Sequence, residues 1–232
     1  MEISVVIPAY NEEKVIISTL KEVRDFLENN FSNYEIIVVD DCSKDSTFSF
    51  ISSFTGLKVL RNLKNHGKGY SIAKGVAQAQ GDWILFMDAD NSTKIKELLN
   101  FFPYKKDYQL IIASRALKDS KIELRQNFVK VFLGKIGNFF SRLLIDRKIK
   151  DTQCGFKFFS RDLQFLFDKM TIRGFAFDFE LIFLARKHGF KVKEIGVTWQ
   201  NNFDSSVRWH DYPQTFFQIL KIRVNDLLGK YN

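Results

Sequence analysis

Asp88 and Asp90, two acidic side chains with one residue between them, close the run Ile84-Leu85-Phe86-Met87-Asp88-Ala89-Asp90-Asn91-Ser92-Thr93. An apolar strand that stops on Asp-x-Asp delivers carboxylate oxygens into one small volume at the carboxyl edge of a sheet, where open α/β sheets bind ligands. Two carboxylates in that volume call for a cation. Hard oxygen donors suit Mg²⁺ or Mn²⁺, ions that take one or two protein carboxylates and complete their shell with water and substrate phosphates. A turn that merely favours Asp and Asn would leave the same short string, so the rest of the chain has to decide between the two.

Other apolar runs end in the same manner. Ile3-Ser4-Val5-Val6-Ile7 closes on Pro8-Ala9-Tyr10-Asn11-Glu12, and Glu35-Ile36-Ile37-Val38-Val39 closes on Asp40-Asp41-Cys42-Ser43. A third run leads to Asn65-His66-Gly67-Lys68-Gly69. Strands are expected near residues 3–7, 35–39, 57–61, 82–87 and 109–113, with helices near 12–29, 45–54, 68–80 and 94–102. Asn11 is placed to cap the first helix, with Glu12 and Glu13 in its first turn. Strands alternating with helices imply an α/β chain with a mainly parallel sheet and right-handed crossovers. In the second half, 155–159 and 191–199 read as strands, and 178–188 and 213–228 as helices.

Polar residues arrayed along a sheet edge in this order resemble the nucleotide-sugar pocket of family 2 glycosyltransferases of GT-A fold. Within that family the chain is similar to the polyprenyl-phosphate (dolichyl-phosphate) sugar transferases. The likeness runs from Ile3 to about Arg208 and is carried in the second half by Ala113-Ser114-Arg115, Asp151-Thr152-Gln153-Cys154-Gly155-Phe156-Lys157, Phe175-Ala176-Phe177-Asp178-Phe179-Glu180-Leu181 and Val197-Thr198-Trp199. It implies a single Rossmann-like GT-A catalytic domain over residues 1–210. An amphipathic C-terminal helix over 211–232 would belong to the same domain or touch a membrane surface. Asp88 to Lys94 is nearer to dolichyl-phosphate β-glucosyltransferases than to the mannose enzymes, which usually carry Gln where Ser92 stands. UDP-glucose is therefore favoured as donor, with GDP-mannose, or a polysaccharide acceptor on the same fold, as the alternative.

The resemblance also assigns roles. Pro8, Tyr10 and Glu12 would hold the base and ribose, one of Asp40 and Asp41 would accept a hydrogen bond from the base edge, and Lys68 would support the nucleotide. Asp88, Ala89 and Asp90 would lie against the diphosphate, with Asp88, Asp90 and Ser92 around the metal. That ion would neutralise the charge growing on the departing nucleoside diphosphate. Arg115, aided by Arg125 and Arg208, would grip the acceptor phosphate through guanidinium forks, so Asp90 and Arg115 stand as the catalytic residues. A phosphate monoester with a second pKa near ~6 is mostly dianionic at neutral pH and needs positioning more than deprotonation. Asp178 and Glu180 are accordingly assigned structural or acceptor-site work rather than general-base work. Family members invert the anomeric carbon. Cys42 stands where the family usually has Gly, which reduces backbone freedom in that loop.

Composition sets the outer bounds. A chain of 232 residues with 45% hydrophobic and 27% charged residues fits one α/β domain, and no linker or internal repeat marks a boundary. Cys42 and Cys154 have no partner at zinc spacing and are expected to be reduced thiols in a cytoplasmic protein. The first residues lack a signal-peptide pattern and no eighteen apolar residues run uninterrupted, so neither export nor a membrane span is expected. The resembled eukaryotic enzymes carry a membrane anchor without a counterpart in these residues. The net charge of +8 calls for an anionic partner. Dispersed basic residues, with no RNP-like, helix-turn-helix or zinc-finger text, speak against nucleic acid. Anionic lipid fits better. Phe128, Val131, Phe132, Phe139, Phe140, Leu143 and Leu144 fall at helical spacing among Lys130, Lys135 and Arg142. Phe216, Phe217, Leu220, Val224, Leu227 and Leu228 repeat the theme with Lys221, Arg223 and Lys230. A core-facing stripe is the competing account of both. The expectation is a peripheral protein on the cytoplasmic face of a membrane, with a homo-oligomer open. A purely lipid-binding protein would leave Asp88 and Asp90 without a task.

Overall fold

The computed structural model describes residues 1–122, 145–200 and 211–231, without the side chains of 211–216. Strands β1 (Ile3–Ala9), β2 (Tyr34–Asp40), β3 (Leu57–Arg61) and β4 (Trp83–Met87) alternate with helices α1 (Ile16–Asn30), α2 (Thr47–Ser53) and α3 (Lys68–Val76). Further along come β5 (Leu110–Ser114), β6 (Lys121–Ile122), β7 (Phe156–Ser160), α4 (Gln164–Lys169), α5 (Phe177–Lys187), β8 (Val192–Gly196), β9 (Thr198–Trp199) and α6 (Asp211–Leu227). The main sheet has the order β3-β2-β1-β4-β7-β5-β8. Its pairings are parallel except for β7, which runs antiparallel to both β4 and β5.

Successive β1 residues serve opposite faces, as the pleat requires. Val5 and Ile7 pack with Ile16, Leu20, Val23 and Leu27 of α1, while Val6 packs with Ile72 and Val76 of α3 and with α5. A sheet covered on both sides needs apolar residues at every position, which is why its strands read as unbroken hydrophobic runs. α6 inserts Ile219 and Ile222 into the core and leaves Phe217 at 68% and Leu227 at 87% exposure.

The structure departs from the sequence expectations in three places. The first helix starts at Ile16, four residues late, and Val15 precedes it without a side-chain cap. Asn11 does not cap it. With φ 57° it lies in the left-handed region, and its Oδ1 accepts from Lys44 N at 2.8 Å. The intervening backbone is spent on the neighbouring loop, where Asn11 N donates to Ser43 Oγ and Glu12 N to Thr47 Oγ1 at 2.7 Å. Residues 94–102 form 3₁₀ turns, Ile95–Asn100 and Phe102–Tyr104, and Pro103 sits in the first turn of the second, where its missing N–H is tolerated. The expected strand 191–199 breaks at Val197, so that β8 joins the main sheet and β9 pairs in parallel with β6. The mainly parallel sheet also contains a reversed strand. An antiparallel β7 begins where its parallel neighbours end, which brings residues 151–155 to the edge that carries Asp88. The amphipathic stretch 128–145 falls, except for Ile145, outside the described residues.

Candidate active site

Loops after β1, β2 and β4 meet at one edge of the sheet. Pro8 is the penultimate residue of β1 beside Val39, and Tyr10 follows at 39% exposure. Asp40 and Asp41 close β2 and are buried, at 0% and 3% exposure. Asp40 accepts from Ser43 N at 3.2 Å and pairs with Arg61 Nε at 3.2 Å. Asp41 accepts from Asn62 Nδ2 and His66 N through Oδ1, and from Gly67 N through Oδ2 at 2.8 Å. These bonds hold the turn that delivers Lys68. Cys42 takes φ 63°, the left-handed conformation that a glycine would adopt without strain. Ala89 is buried, and its carbonyl accepts from Thr19 Oγ1 of α1 at 2.8 Å.

At the mouth of β4, Asp88 N donates to Gly155 O at 3.1 Å and Asp88 Oδ1 lies 2.5 Å from Lys68 Nζ. A methyl group on Gly155, just before β7, would overlap the Asp88 carboxylate where it now lies, so glycine there lets Asp88 keep this position. Asp90 accepts from Ser92 N at 2.9 Å and from Ser92 Oγ at 2.8 Å. The Ser92 hydroxyl thus acts on Asp90, orienting it. Burial, and then the neighbouring Asp88, raise the Asp90 carboxyl above the usual range. Burial, followed by the charges of Asp90 and Asp88, pushes Glu12 up to about 7. Burial opposes charge on Lys68, but Asp88 and then Asp178 outweigh it and raise the ammonium's pKa.

These groups suit a hard divalent cation. Glu12, Asp88 and Asp90 repel one another across a half-buried space, and a cation relieves that repulsion. Among the described residues no set of three or more His, Cys, Asp or Glu is arranged to enclose an ion. Asp88 and Asp90 can therefore supply two ligands, with the remainder from a substrate diphosphate and water.

Beside this mouth, Arg115 N and Nε donate to Asp151 Oδ2 at 2.9 and 2.7 Å, and Nη2 donates to Oδ1 at 2.9 Å. The guanidinium also lies 5.6 Å from the Trp199 ring centroid. One edge of the expected phosphate-gripping fork is therefore committed to Asp151, whose own Oδ1 and N are tied to Gln153 N and Glu194. Burial opposes ionisation of Asp151, yet Arg115 holds its pKa below the ordinary carboxylate value. Arg125 and Arg208 lie outside the described residues.

Sequence reasoning missed the ion pair beneath the site. Lys157 is fully buried as the second residue of β7, where it donates to Cys154 O at 2.8 Å and bonds Asp178 Oδ1. Its signal was present: a lysine in the apolar string Gly155-Phe156-Lys157-Phe158-Phe159 must find a buried counter-charge. Asp178 is raised by burial, against the pull of Lys157 and Lys68. Glu180 lies apart from the mouth. It accepts from Thr171 N, Thr171 Oγ1, Ile172 N and the Tyr231 hydroxyl, and so joins the C-terminal turn to α5.

Glycosyl transferase family 2 matches residues 4–166, which include every loop of this mouth up to the start of α4. The chain belongs to that family. Among its relatives, a dolichyl-phosphate β-glucosyltransferase of Trichomonas vaginalis is 33% identical over 96% of this chain and 73% of its own length. Those of Dictyostelium discoideum and Homo sapiens are 32% and 31% identical, over 98% and 99% of this chain and 75% and 77% of theirs. Among solved structures, mannosyl-3-phosphoglycerate synthase from Rubrobacter xylanophilus superposes with a TM-score of 0.72 at 19% identity, covering 99% of this chain and 75% of that one. Glucosyl-3-phosphoglycerate synthase of Mycobacterium tuberculosis, solved with Mn²⁺, UDP and glucosyl-3-phosphoglycerate, gives 0.68 at 20% identity over 99% and 79%. The family 2 chain therefore has the GT-A fold, a single α/β domain around a mainly parallel sheet. Among the described residues, no helix of this family member is long and apolar enough to cross a membrane.

Proposed function

We propose that this family 2 enzyme transfers glucose from UDP-glucose to a polyprenyl or dolichyl phosphate, with inversion, giving a β-linked lipid phosphosugar. The observation that carries the reading is the Asp88–Asp90 mouth at the end of β4, in a chain about a third identical to dolichyl-phosphate β-glucosyltransferases across nearly its whole length. A bound Mg²⁺ or Mn²⁺ supplies electrostatic stabilisation of the departing diphosphate. The protein's part is positioning. Asp88 and Asp90 hold the ion, Ser92 orients Asp90, and Lys68 adds a positive charge at the amino end of α3. Exposed Tyr10 offers a ring for the base, beside Pro8 and Glu12, while Asp40, Asp41 and Ala89 shape the nucleotide wall. Arg115, braced by Asp151, presents its outer guanidinium edge to the acceptor phosphate, with Arg125 and Arg208 as further cationic partners. The dianionic acceptor attacks without a general base.

A lipid acceptor calls for a protein that works peripherally at a membrane surface, and the cytoplasmic face is our assignment. Exposed Phe217, Val224, Leu227 and Leu228 on and just beyond α6 support that contact.

The test is a panel of radiolabelled nucleotide sugars incubated with purified protein, Mn²⁺ and a short polyprenyl phosphate, with extraction of labelled lipid. UDP-glucose is expected to label the lipid, and Asp88→Asn and Asp90→Asn are each expected to lower turnover at least 10²-fold, as loss of a principal transition-state contact does. Labelling from GDP-mannose alone would replace the donor assignment. Absence of transfer from every donor would return the chain to a lipid-binding role.

A further inference from the structure

The acidic mouth at the end of β4 already holds a cation of the protein's own. Lys68 Nζ sits 2.5 Å from Asp88 Oδ1, with only 19% of its side chain exposed. Its base is held firmly. Gly67 has φ 94°, and a methyl group there would meet Arg173 O at 2.8 Å. One on Gly69 would meet Phe177 Cβ at 2.6 Å, and Tyr70 N donates to Arg173 O at 3.0 Å. Lys68 is thus pinned between the carboxylates of β4 and the segment that leads into α5. It is also the first residue of α3, whose amino-terminal dipole end favours an anion over an ammonium.

These placements treat two arrivals differently. A bare divalent cation must take Asp88 from the ammonium and then endure like-charge repulsion beside it. A cation that arrives with a diphosphate brings anionic oxygens that can receive the displaced ammonium at the amino end of α3. We infer that Lys68 makes divalent-cation binding conditional on the nucleoside diphosphate, keeping bare metal off Asp88 and passing from Asp88 to the diphosphate as metal and nucleotide enter together. The inference rests on the proposed cation role of Asp88 and Asp90, and adds an order of binding to it.

Any shared metal–nucleotide site couples the two ligands, and by linkage the coupling is reciprocal. What distinguishes an internal counter-ion is opposite signs on its removal. Mn²⁺ binding to the full chain can be read from the electron paramagnetic resonance signal of free Mn²⁺, with and without saturating UDP. Wild-type protein is expected to bind Mn²⁺ at least about tenfold more tightly with UDP than without. Lys68→Gln is expected to bind bare Mn²⁺ about tenfold more tightly than wild type, and to bind UDP in the presence of Mn²⁺ about tenfold more weakly. Lys68→Arg, which keeps the charge, is expected to restore the wild-type pattern. Bare-Mn²⁺ affinity that is unchanged or lowered in Lys68→Gln would overturn the inference, as would wild-type protein that binds bare Mn²⁺ as tightly as with UDP. Wild-type protein that binds no Mn²⁺ even with UDP would instead overturn the cation role of Asp88 and Asp90, and this inference with it.

Discussion

Gly155 sets where the Asp88 carboxylate can lie in the mouth. Since a methyl group there overlaps the carboxylate, Gly155→Ala must rotate Asp88 or push β7 from β4. A displacement of about 1 Å at a reacting centre costs roughly 10²-fold in rate. Gly155→Ala is expected to lose turnover on that scale while its far-ultraviolet circular dichroism stays that of wild type; unchanged kinetics would count against Asp88 as a ligand. The Arg115–Asp151 pair makes a second residue-level prediction. Asp151 is 2% exposed and titrates below its ordinary value in the fold. The pair therefore stabilises the native state at every pH above the unfolded carboxyl value of about 3.9, and that contribution drains away as pH falls through the lower folded value. Arg115→Ala strands a buried carboxylate and is expected to cost on the order of 3 kcal/mol at pH 7 in urea denaturation. The gap between variant and wild type should narrow below about pH 4.

At the scale of elements, β7 shapes the site most. Its second residue, Lys157, lies with its ammonium 5.2 Å from the Phe86 ring centroid and meets Asp178 at the start of α5. Both partners are nearly or wholly inaccessible, at 0% and 3% exposure. Removing one leaves an uncompensated buried charge, which costs about 3–5 kcal/mol, whereas removing both with apolar groups of similar size can be close to neutral. Lys157→Met is expected to lose stability in that range. Lys157→Met combined with Asp178→Leu should recover much of it, and additive losses in the double-mutant cycle would contradict the pairing. The α5 carboxylates thus divide their work: Asp178 faces Lys157 beneath the mouth, and Glu180 gathers the backbone N–H groups of Thr171 and Ile172 and the Tyr231 hydroxyl.

The whole molecule carries a net charge of +8, together with an apolar strip on and beyond α6 at Phe217, Val224, Leu227 and Leu228. Charge brings such a surface to anionic headgroups and apolar burial retains it. The protein is expected to sediment with phosphatidylserine vesicles at low ionic strength and to be partly released at 1 M salt, where the Debye length falls to about 3 Å. Recovery in the supernatant at low salt would count against membrane contact. Glu substitutions at Leu227 and Leu228 should weaken sedimentation without altering UDP affinity, since both lie on the exposed strip rather than at the mouth of β4.

Local order made much of this legible in the sequence. A strand or a helix announces itself through spacing along the chain, and a run such as Ile84 to Asp88 states both its burial and the polar residue at its end. The parallel strands, the common edge and the Asp88–Asp90 pair therefore followed from spacing, and family 2 from the resemblance of the motifs at that edge. Contacts between distant residues did not. The direction of β7, the fit of Gly155 against Asp88, the placement of Lys68 on Asp88 and the commitment of Arg115 to Asp151 each join residues 20 or more positions apart. Asn11 makes the same point, bonding Lys44 of a neighbouring loop 33 positions away, and Ser92 makes it at short range, bonding the Asp90 carboxylate. Spacing reports which face of an element a side chain takes. Which charge it then meets is decided only when the sheet closes, because burial makes each partner's cost depend on the other.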